Sequence, residues 1–456
     1  MEHKRLTLAD AARWCGGIVA PEYAERTFAG ANFDTRRLQA GELFVAITGA
    51  RDGHSFAADA MQKGAAAVLA SKPLSPEIPA IYVENTVEAL QAIAREYRRQ
   101  LSCKCIGITG SVGKTTTKEM IAAVLETTFR TQKTAANFNN GLGLPVTVLG
   151  IAQDCEMAVL EMGMNHFGEI AALTRVAQPD FAVITNIGTM HIENLGSQEG
   201  ILQAKLEILE GLRPGGTAVF NGEDRLLRSA AADCHALRFG MSPDCEVQAK
   251  EVRTEEDGVR FTVSAFGTEF PVALPVRGEH HVIDALAAVA VGLRCGVLPE
   301  KIQAGLRSFQ NTGMRQKVYS VHGMKVIEDC YNAGPESMRA ALRVLADTKT
   351  EGKRIAVLGG MLELGEFAPE AHRIAGAEAA EAAEILFAYG AYGDCYVQGA
   401  RAAGMKAAEC FPTHEALAAA LQAAAHEGDT LLFKGSRGMR MERAMQLFLD
   451  AAENKG

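Results

Sequence analysis

Short apolar runs alternate with longer amphipathic stretches along this chain, and the rhythm changes twice. In the first block, residues 1–100, the apolar run 43–47 predicts a buried strand and the stretch 87–99 has the periodicity of a helix. Thr7 and Asp10 have the spacing of a capping box, so a helix is expected to begin beside them. This block predicts a small α/β domain.

The second block, residues 101–313, repeats a pattern of buried strand and helix. Alternating apolar and polar residues over 245–276 then predict an antiparallel meander, and 284–294 predicts an alanine-rich helix. Four short apolar runs predict parallel strands: 105–109, 158–160, 181–184 and 218–220. With helices between them, they predict a doubly wound parallel sheet.

The third block, residues 314–456, has a second set of strands and helices with its own glycine turns. Its predicted strands are 324–328, 354–358, 385–389 and 430–433. The expected fold class is therefore α/β with three domains: an N-terminal α/β domain, a central parallel-sheet domain and a C-terminal Rossmann-like domain.

Composition limits the classes of function. The chain of 456 residues has 46 Lys and Arg against 55 Asp and Glu, a formal net charge of −9, which argues against nucleic acid as a partner. No apolar run reaches the ~18 residues of a membrane span, and the polar N-terminus does not resemble a secretory signal. The ten cysteines form no C-x-x-C pair. We expect a cytoplasmic protein without membrane insertion.

The strongest chemical signal is the segment 107–116, GITGSVGKTT, between a predicted strand and a predicted helix. Backbone N–H groups at its glycines and at the helix start make an anion site, with Lys114 reaching the terminal phosphates of a nucleotide and Thr115 placed to coordinate Mg²⁺. The strict pattern G-x-x-x-x-G-K-S/T would need glycine at position 108, where isoleucine stands, so an ordinary tight turn is the alternative. The predicted phosphate-binding residues are Gly110, Ser111, Val112, Gly113, Lys114, Thr115 and Thr116.

Three residues further along are candidates for the same site. Glu161 ends a predicted strand at the sheet edge where ligands bind, so it is either a Mg²⁺ ligand or an ordinary surface glutamate. His191 follows the next strand, where a lone histidine is more often structural. Lys205 lies on the following helix, where a solvated lysine is the simpler interpretation. The residues alone leave these alternatives open.

Taken together, the motifs resemble those of the Mur ligase family over essentially the whole chain. In the central block the resemblance rests on the phosphate loop and on segments 137–145, 161–163, 184–191 and 204–207. It implies the use of ATP and Mg²⁺, with the metal held by Thr115, Glu161, His191 and Lys205, the last of these carbamylated. It also implies catalytic roles for Lys114, Asn139, Asn140, His191 and Lys205.

The outer blocks carry more specific motifs. Segments 331–338, 361–365 and 433–437 resemble the family member that adds D-alanyl-D-alanine, although Gly334, Gly360 and Asp284 depart from the family's motifs. Segments 34–36 and 52–54 are similar to the family's N-terminal UDP-binding domain. The resemblance implies that substrate contacts Asp34, Thr35, Arg36, Gly53, His54, Lys434, Ser436 and Arg437, and that nucleotide also contacts Arg315, Asp329 and Asn332.

The implied reaction is ATP-dependent ligation of D-alanyl-D-alanine to UDP-N-acetylmuramoyl-tripeptide through an acyl phosphate, a step of peptidoglycan synthesis carried out by a monomer. Another Mur-type or folylpolyglutamate-type ligase is the nearest alternative. A P-loop NTPase that ligates nothing and an inactive paralogue are alternatives of other classes. Whether the third residue of the peptide is diaminopimelate or lysine is left open.

Overall fold

A computed structural model describes residues 4–255, 257–311 and 313–453. The chain forms three successive α/β units, each with its own main sheet, and the predicted fold class is confirmed. In the first unit Thr7 caps the first helix as predicted, because its Oγ1 accepts the Asp10 N–H at 3.1 Å. The elements are β1 (Leu6–Thr7), α1 (Leu8–Cys15), β2 (Ile18–Val19), β3 (Thr27–Phe28), β4 (Ala31–Asn32), β5 (Leu43–Val45), α2 (Ala57–Gln62), β6 (Ala67–Ala70), β7 (Ala80–Tyr82) and α3 (Thr86–Arg99).

The first unit's sheet has the strand order β2-β7-β6-β5-β4, parallel except for β2, while β1 and β3 form a separate antiparallel pair. Helix α3 joins this unit to the next. Tyr97 Oη donates to Ile151 O at 2.6 Å, and the buried Arg98 donates through Nε to Ala177 O at 2.8 Å. These buried bonds fix the first unit against the second.

The second unit is a nine-stranded sheet with the order β16-β15-β14-β13-β12-β11-β8-β10-β9. Its elements are β8 (Lys104–Thr109), α4 (Lys114–Glu126), β9 (Thr131–Lys133), α5 (Gly143–Leu149), β10 (Met157–Glu161), α6 (Glu169–Ala177), β11 (Phe181–Ile184), α7 (Ile192–Leu195), α8 (Gln198–Leu206), β12 (Thr217–Asn221), α9 (Arg225–Cys234), β13 (Leu237–Gly240), β14 (Val247–Glu255), β15 (Gly258–Ala265), β16 (Thr268–Leu274), α10 (Glu279–Arg294) and α11 (Pro299–Arg307). The predicted meander is present, but it continues the main sheet because β14 pairs in parallel with β13.

The third unit has the strand order β17-β18-β22-β19-β20-β21, parallel except for β17. Its elements are β17 (Lys317–Val321), β18 (Met324–Asp329), α12 (Pro335–Asp347), β19 (Arg354–Gly359), α13 (Ala368–Ala382), β20 (Ile385–Tyr389), α14 (Gly393–Ala402), β21 (Ala407–Phe411), α15 (His414–Ala424), β22 (Thr430–Lys434) and α16 (Met441–Glu453). Strand β17 was not predicted. It is one arm of a hairpin whose turn residues His322 and Gly323 both have positive φ, and histidine is an uncommon residue there.

Two helices begin earlier than the apolar pattern predicts. Helix α4 begins at Lys114 instead of 118, although three successive threonines favour helix only weakly. The hydroxyls of Thr115 and Thr117 donate to buried carboxylates, so tertiary contacts override propensity. Helix α10 begins at Glu279 instead of 284, because its first turn carries the polar pair at 280–281, of which His281 is buried and His280 partly buried. Within the described ranges, none of the helices combines the length and apolarity needed to cross a bilayer.

The sheet of the second unit converges on one edge. Strand β8 lies between β10 and β11, with Glu161 beside Ile108 and Ile184 beside Thr109 in the register. Because these strands are parallel, the loops at their carboxyl ends meet at the same edge, where open α/β sheets bind ligands. This edge faces the third unit, since Thr189 donates to Glu336 through both N–H (2.9 Å) and Oγ1 (3.1 Å).

Candidate functional site

The loop after β8 is held in place by the loop after β11. Gly110 has φ +151°, and a Cβ there would lie 1.9 Å from Thr185 Oγ1, so this position requires glycine. The N–H of Ser111 donates to Asn186 O at 3.0 Å, and that of Val112 donates to Asn186 Oδ1 at 2.9 Å. These contacts fix the backbone that would surround a phosphate.

Helix α4 begins directly behind this loop. Gly113 has φ +84°, and a Cβ there would lie 2.7 Å from Asp284 Oδ1, which accepts the Thr117 hydroxyl at 2.8 Å. Asp284, one of the departures from the family's motifs, is thus buried against the phosphate loop. The unpaired N–H groups of the first turn and the positive end of the helix dipole make this an anion site.

Lys114 is partly buried, and its side chain folds back onto the loop. Its Nζ donates to Gly110 O at 2.7 Å and to Ser111 O at 3.2 Å. Burial lowers the pKa of Lys114; the neighbouring Glu161 raises it and Arg315 lowers it further. The Lys114 ammonium is desolvated and has neutral hydrogen-bond partners, so an incoming phosphate would stabilise its charge strongly.

Glu161 is a buried carboxylate bound by two donors. Thr115 Oγ1 donates to its Oε2 at 2.9 Å, and Asn139 Nδ2 donates to its Oε1 at 2.8 Å. The alternative of a surface glutamate is therefore wrong. Among the described residues, no group of three or more His, Cys, Asp or Glu side chains could hold a metal ion. A hydroxyl and one carboxylate beside a phosphate loop nevertheless fit Mg²⁺, which usually keeps water and phosphate oxygens as its other ligands.

Lys205 is only 2% exposed, near the end of α8, so the interpretation as a solvated lysine is wrong. Burial, together with the neighbouring cation Lys114, holds the pKa of Lys205 well below its usual value. His191 is the N-cap residue of α7 and has φ +66°, and its Nδ1 lies 2.6 Å from Glu363 Oε2 of the third unit. The metal-binding roles of Lys205 and His191 stay predictions.

The third unit contributes a second group of charged residues. The Arg315 guanidinium lies 3.7 Å from the centre of the Tyr331 ring, a cation–π contact. Lys434, at the end of β22, forms a buried ion pair of 2.6 Å with Asp329 Oδ2 and also donates to Asn332 O at 3.1 Å. Lys434 is thus engaged within the protein, although it was predicted to bind substrate.

The two residues predicted beside Lys434 differ from each other. Ser436 Oγ donates to Ala333 O at 3.1 Å and accepts the Leu362 N–H at 2.9 Å, so it joins two loops. Arg437 is half exposed, and its Nη1 donates to Glu442 Oε1 at 2.7 Å. Of the two, Arg437 is the side chain available to a ligand.

One cavity of about 540 Å³ lies between the second and third units and is the meeting point of these residues. Both asparagines predicted to be catalytic line it, although Asn140 Oδ1 also accepts the N–H groups of Leu142 and Gly143 at the start of α5. The predicted residues on its wall are Ser111, Val112, Gly113, Lys114, Thr115, Thr116, Asn139, Asn140, Glu161, His191, Arg315, Asp329, Asn332, Lys434, Ser436 and Arg437. Gly110 and Lys205 do not line it.

The predicted substrate residues of the first unit lie outside this cavity. Asp34 pairs with the exposed Arg36 at 2.7 Å, and hydrogen bonds from Arg36 lower the pKa of Asp34 to about 2. Thr35 lies between them in the same loop. Just beyond, Arg37 stacks on Phe138 with 4.7 Å between the guanidinium carbon and the ring centre. This contact connects the loop to the segment that carries Asn139.

Gly53 and His54 form a braced turn. A Cβ at Gly53 would lie 2.5 Å from the Ile47 backbone N, so only glycine fits. His54 is buried: its Nδ1 lies 2.6 Å from Asp52 Oδ1, and its Nε2 accepts the Ser71 N–H at 3.0 Å. Both ring nitrogens are occupied, so His54 shapes the turn.

Several residues of the cavity wall were not predicted. Gln316 Nε2 lies 3.2 Å from His280 Nε2, and Gln316 Oε1 lies 3.0 Å from His281 Nε2. Burial is the main cause that keeps the pKa of His280 well below its usual value, and the neighbouring His281 is the second. Glu363 was also missed as a site residue. Two polar residues at a helix start were the signal for the histidines. Glu363 lies in the family-like segment 361–365, and its 2.6 Å contact with His191 marks it as a site residue.

Comparisons with known proteins agree with this geometry. Three family descriptions match: "Mur ligase family, catalytic domain" over residues 27–98, "Mur ligase middle domain" over 108–292 and "Mur ligase, glutamate ligase domain" over 314–437. The chain is 41% identical to UDP-N-acetylmuramoyl-tripeptide--D-alanyl-D-alanine ligase of Bacillus subtilis, covering 96% of each chain.

Solved structures give the same result. The crystal structure of MurF from Acinetobacter baumannii has a TM-score of 0.90 and 30% identity, with 99% of this chain and 100% of that chain covered. The MurF ligase of Thermotoga maritima, in complex with ADP, has a TM-score of 0.82 and 29% identity over 94% of this chain and 99% of that chain.

Proposed function

This chain belongs to the Mur ligase family, and we propose that it is an ADP-forming ligase that joins D-alanyl-D-alanine to UDP-N-acetylmuramoyl-tripeptide in peptidoglycan synthesis. The observation that carries the proposal is the shared cavity: the phosphate loop and Glu161 form one wall, and Arg315 and Arg437 of the third unit form the other. Such a cavity suits a reaction that joins a phosphate donor, a carboxylate and an amine.

The proposed reaction has two steps. The terminal carboxylate oxygen of the tripeptide bonds to the γ-phosphorus of ATP, and the bond to ADP breaks. The dipeptide nitrogen then bonds to the acyl carbon, inorganic phosphate leaves with the electrons of the C–O bond, and the nitrogen loses a proton. A carboxylate needs this activation because its own oxygen is a poor leaving group. Negative charge accumulates in both steps, so positive groups stabilise both transition states.

Different residues of this chain bind the phosphates, stabilise the transferring phosphoryl group and contact the acyl phosphate. The N–H groups of the loop 110–113 and of the first turn of α4 bind the phosphates, and Lys114 turns from Gly110 O and Ser111 O to the transferring phosphoryl group. Arg315 adds a second cation from the third unit. Asn139 and Asn140 donate neutral hydrogen bonds to the acyl phosphate.

When bound, Mg²⁺ supplies charge neutralisation at the phosphate oxygens. Thr115 and Glu161 would hold it, since their oxygens lie 2.9 Å apart at the start of α4. His191 would complete the site from the loop before α7. The hard oxygen donors and the adjacent anion site support Mg²⁺ over softer metals.

A carbamate on Lys205 accounts for a buried lysine that lies beside another cation. A neutral amine adds to CO₂, forming an N–C bond and releasing one proton, and the product carries a negative charge. The lowered pKa of Lys205 favours the neutral amine that this step requires. The carbamate would balance Lys114 and support the metal site.

The first unit would bind the UDP-sugar. Arg36 is 84% exposed in its side chain, so it can contact an anionic group of the substrate. The stacking of Arg37 on Phe138 brings this loop beside the segment with Asn139, which suits a substrate whose peptide end reaches the cavity. We further propose that the enzyme acts as a monomer in the cytoplasm, where ATP is available.

Mass spectrometry of the products tests the function. The protein is incubated with ATP, D-alanyl-D-alanine and the UDP-linked tripeptide, with diaminopimelate or lysine as the third residue. We expect one ligated pentapeptide and one ADP per turnover, and no ADP when either organic substrate is omitted. Steady phosphate release without both organic substrates, or no mass gain with any tripeptide, would refute the ligase.

A further inference from the structure

The acidic residues on the cavity wall differ in whether their carboxylates already have hydrogen-bond or ion-pair partners within the protein. Glu161 accepts from Thr115 and Asn139, and Asp329 is paired with Lys434. Both carboxylates are buried, so the protein itself supplies their partners. Asp329 is thus already neutralised by Lys434, and Glu161 is the carboxylate assigned above to Mg²⁺, so neither is placed to bind the amine substrate.

Glu169, on the second unit, is partly exposed, but its Oε2 accepts the Asn165 N–H at 2.7 Å and its Oε1 lies 3.6 Å from His166 Nδ1. Glu363 is the exposed carboxylate that the third unit contributes to the wall. Its side chain is 49% exposed and lies on the cavity wall, and its Oε2 is 2.6 Å from His191 Nδ1. This contact involves one carboxylate oxygen and leaves the other without a partner on His191. Glu363 therefore has both a fixed position and an open face.

The backbone that carries Glu363 is braced on both sides. Its φ of +64° is uncommon for a residue with a Cβ and costs of order 1 kcal/mol. The preceding residues are tied by two hydrogen bonds: the Met361 N–H donates to His372 Nε2 and the Leu362 N–H donates to Ser436 Oγ, each at 2.9 Å. The fold thus holds the carboxylate at the cavity against a local conformational preference.

The chemistry of the amine substrate matches this position. A free dipeptide near neutral pH carries an ammonium, with a pKa of about 8, and a carboxylate. The phosphate-loop side of the cavity is cationic through Lys114 and would repel the ammonium, whereas Arg437, on the third unit, can face the carboxylate. An exposed carboxylate is needed to bring the ammonium close to the acyl carbon.

We propose that Glu363 is the residue that binds the ammonium group of the incoming dipeptide and thereby selects an α-amine substrate. The inference rests on the proposed ligase function. Glu363 receives the ammonium on its open face, while its Oε2 stays 2.6 Å from His191 Nδ1. The ammonium then loses a proton to water, so that the nitrogen attacks the acyl carbon as a neutral amine. Glu363 acts in binding the dipeptide and takes no part in phosphoryl transfer to the UDP-tripeptide.

Glu363→Gln tests the proposal because it removes the charge and keeps the shape. We expect the KM for D-alanyl-D-alanine to rise at least about tenfold, while the KM values for ATP and the UDP-tripeptide change less than about threefold. The KM of Glu363→Asp for D-alanyl-D-alanine should lie between those of the wild type and Glu363→Gln. The control is Glu366→Gln, the same change three residues away at an exposed position outside the cavity wall, which should behave as wild type.

Trapping with hydroxylamine separates amine binding from activation of the carboxylate. Hydroxylamine is a neutral nucleophile at pH 7 and converts an acyl phosphate to a hydroxamate without needing a carboxylate to bind it. Glu363→Gln should form hydroxamate from ATP and the UDP-tripeptide at a rate close to wild type, which also shows that the variant is folded.

Two results would overturn the proposal: an unchanged KM for the dipeptide, or hydroxamate formation that falls together with ligation. The second, in a variant whose thermal unfolding matches that of the wild type, would mean that Glu363 acts through His191 on phosphoryl transfer. A wild-type enzyme that forms hydroxamate yet never ligates D-alanyl-D-alanine would instead refute the function on which the inference rests.

Discussion

Lys434 is a buried cation at the end of β22, and we expect its replacement by methionine to destabilise the third unit more than it weakens substrate binding. Its Nζ lies 2.6 Å from Asp329 Oδ2 and donates to Asn332 O at 3.1 Å. The side chain is 2% exposed, so methionine fills most of the same volume without the charge. Asp329 would then be left as a buried carboxylate without its partner.

The size of the effect follows from the geometry. At 2.6 Å the attraction of the pair is roughly 6 kcal/mol for an effective dielectric constant of about 20. Removing the lysine also removes its own desolvation cost, which offsets part of that loss. Removing one partner of a buried ion pair lowers the free energy of unfolding by about 3–5 kcal/mol in measured cases, and we expect a loss in that range for Lys434→Met. Asp329→Asn combined with Lys434→Met should recover part of it, because no charge remains unpaired.

Hydrogen exchange measured by mass spectrometry reports the loss of stability in each segment separately. Such a local measurement is needed because the three units need not unfold together. Peptides from β18 and β22 should exchange roughly 10²- to 4 × 10³-fold faster in Lys434→Met, while peptides from the first unit are unchanged. Lys406→Met, at an exposed position of the same unit, is the control. Wild-type exchange together with a raised KM for the dipeptide would show that Lys434 is a substrate ligand and that the buried pair adds nothing to stability.

Three further predictions test the remaining assignments. Lys114→Ala should lower the rate of ligation about 10³-fold under saturating ATP, because it removes the cation at the transferring phosphoryl group; a rate within tenfold of wild type would contradict the phosphate-loop assignment. Arg36→Ala should raise the KM for the UDP-peptide more than the KM for ATP, and equal effects on both would count against a UDP site in the first unit. Lys205→Ala should be nearly inactive and partly rescued by acetate, and wild-type activity should fall reversibly when bicarbonate is removed. A Lys205→Ala rate near wild type would leave that residue a structural lysine.

Two of the departures from the family's motifs have a local explanation in the structure. A Cβ at Gly334 would lie 2.7 Å from Met190 Cγ, so a larger residue there would require the Met190 side chain to move. Asp284 accepts the Thr117 hydroxyl and lies against Gly113, so it supports the phosphate loop. Gly360 has room beside Met439 and His372, and nothing in the structure explains why it is glycine.

The α/β class, the phosphate loop and the strand-end position of Glu161 could be predicted from the amino-acid sequence, because they depend on local periodicity and on short motifs. A glycine loop between a strand and a helix has one main physical use, and its residues are neighbours in the chain. The approximate positions of most strands followed from the same patterns. The family resemblance added the expected reaction and most of the predicted site residues.

The three-dimensional fold was needed to show which of those residues share a cavity and which already have partners within the protein. Lys434 and His54 carry chemically capable side chains, yet the fold uses them for a buried ion pair and a braced turn. Lys205 is buried although its helix has the composition of a surface element. Glu363 reaches the site only because the third unit packs against His191 of the second. Burial and pairing arise from contacts between residues far apart in the chain, which local periodicity cannot specify.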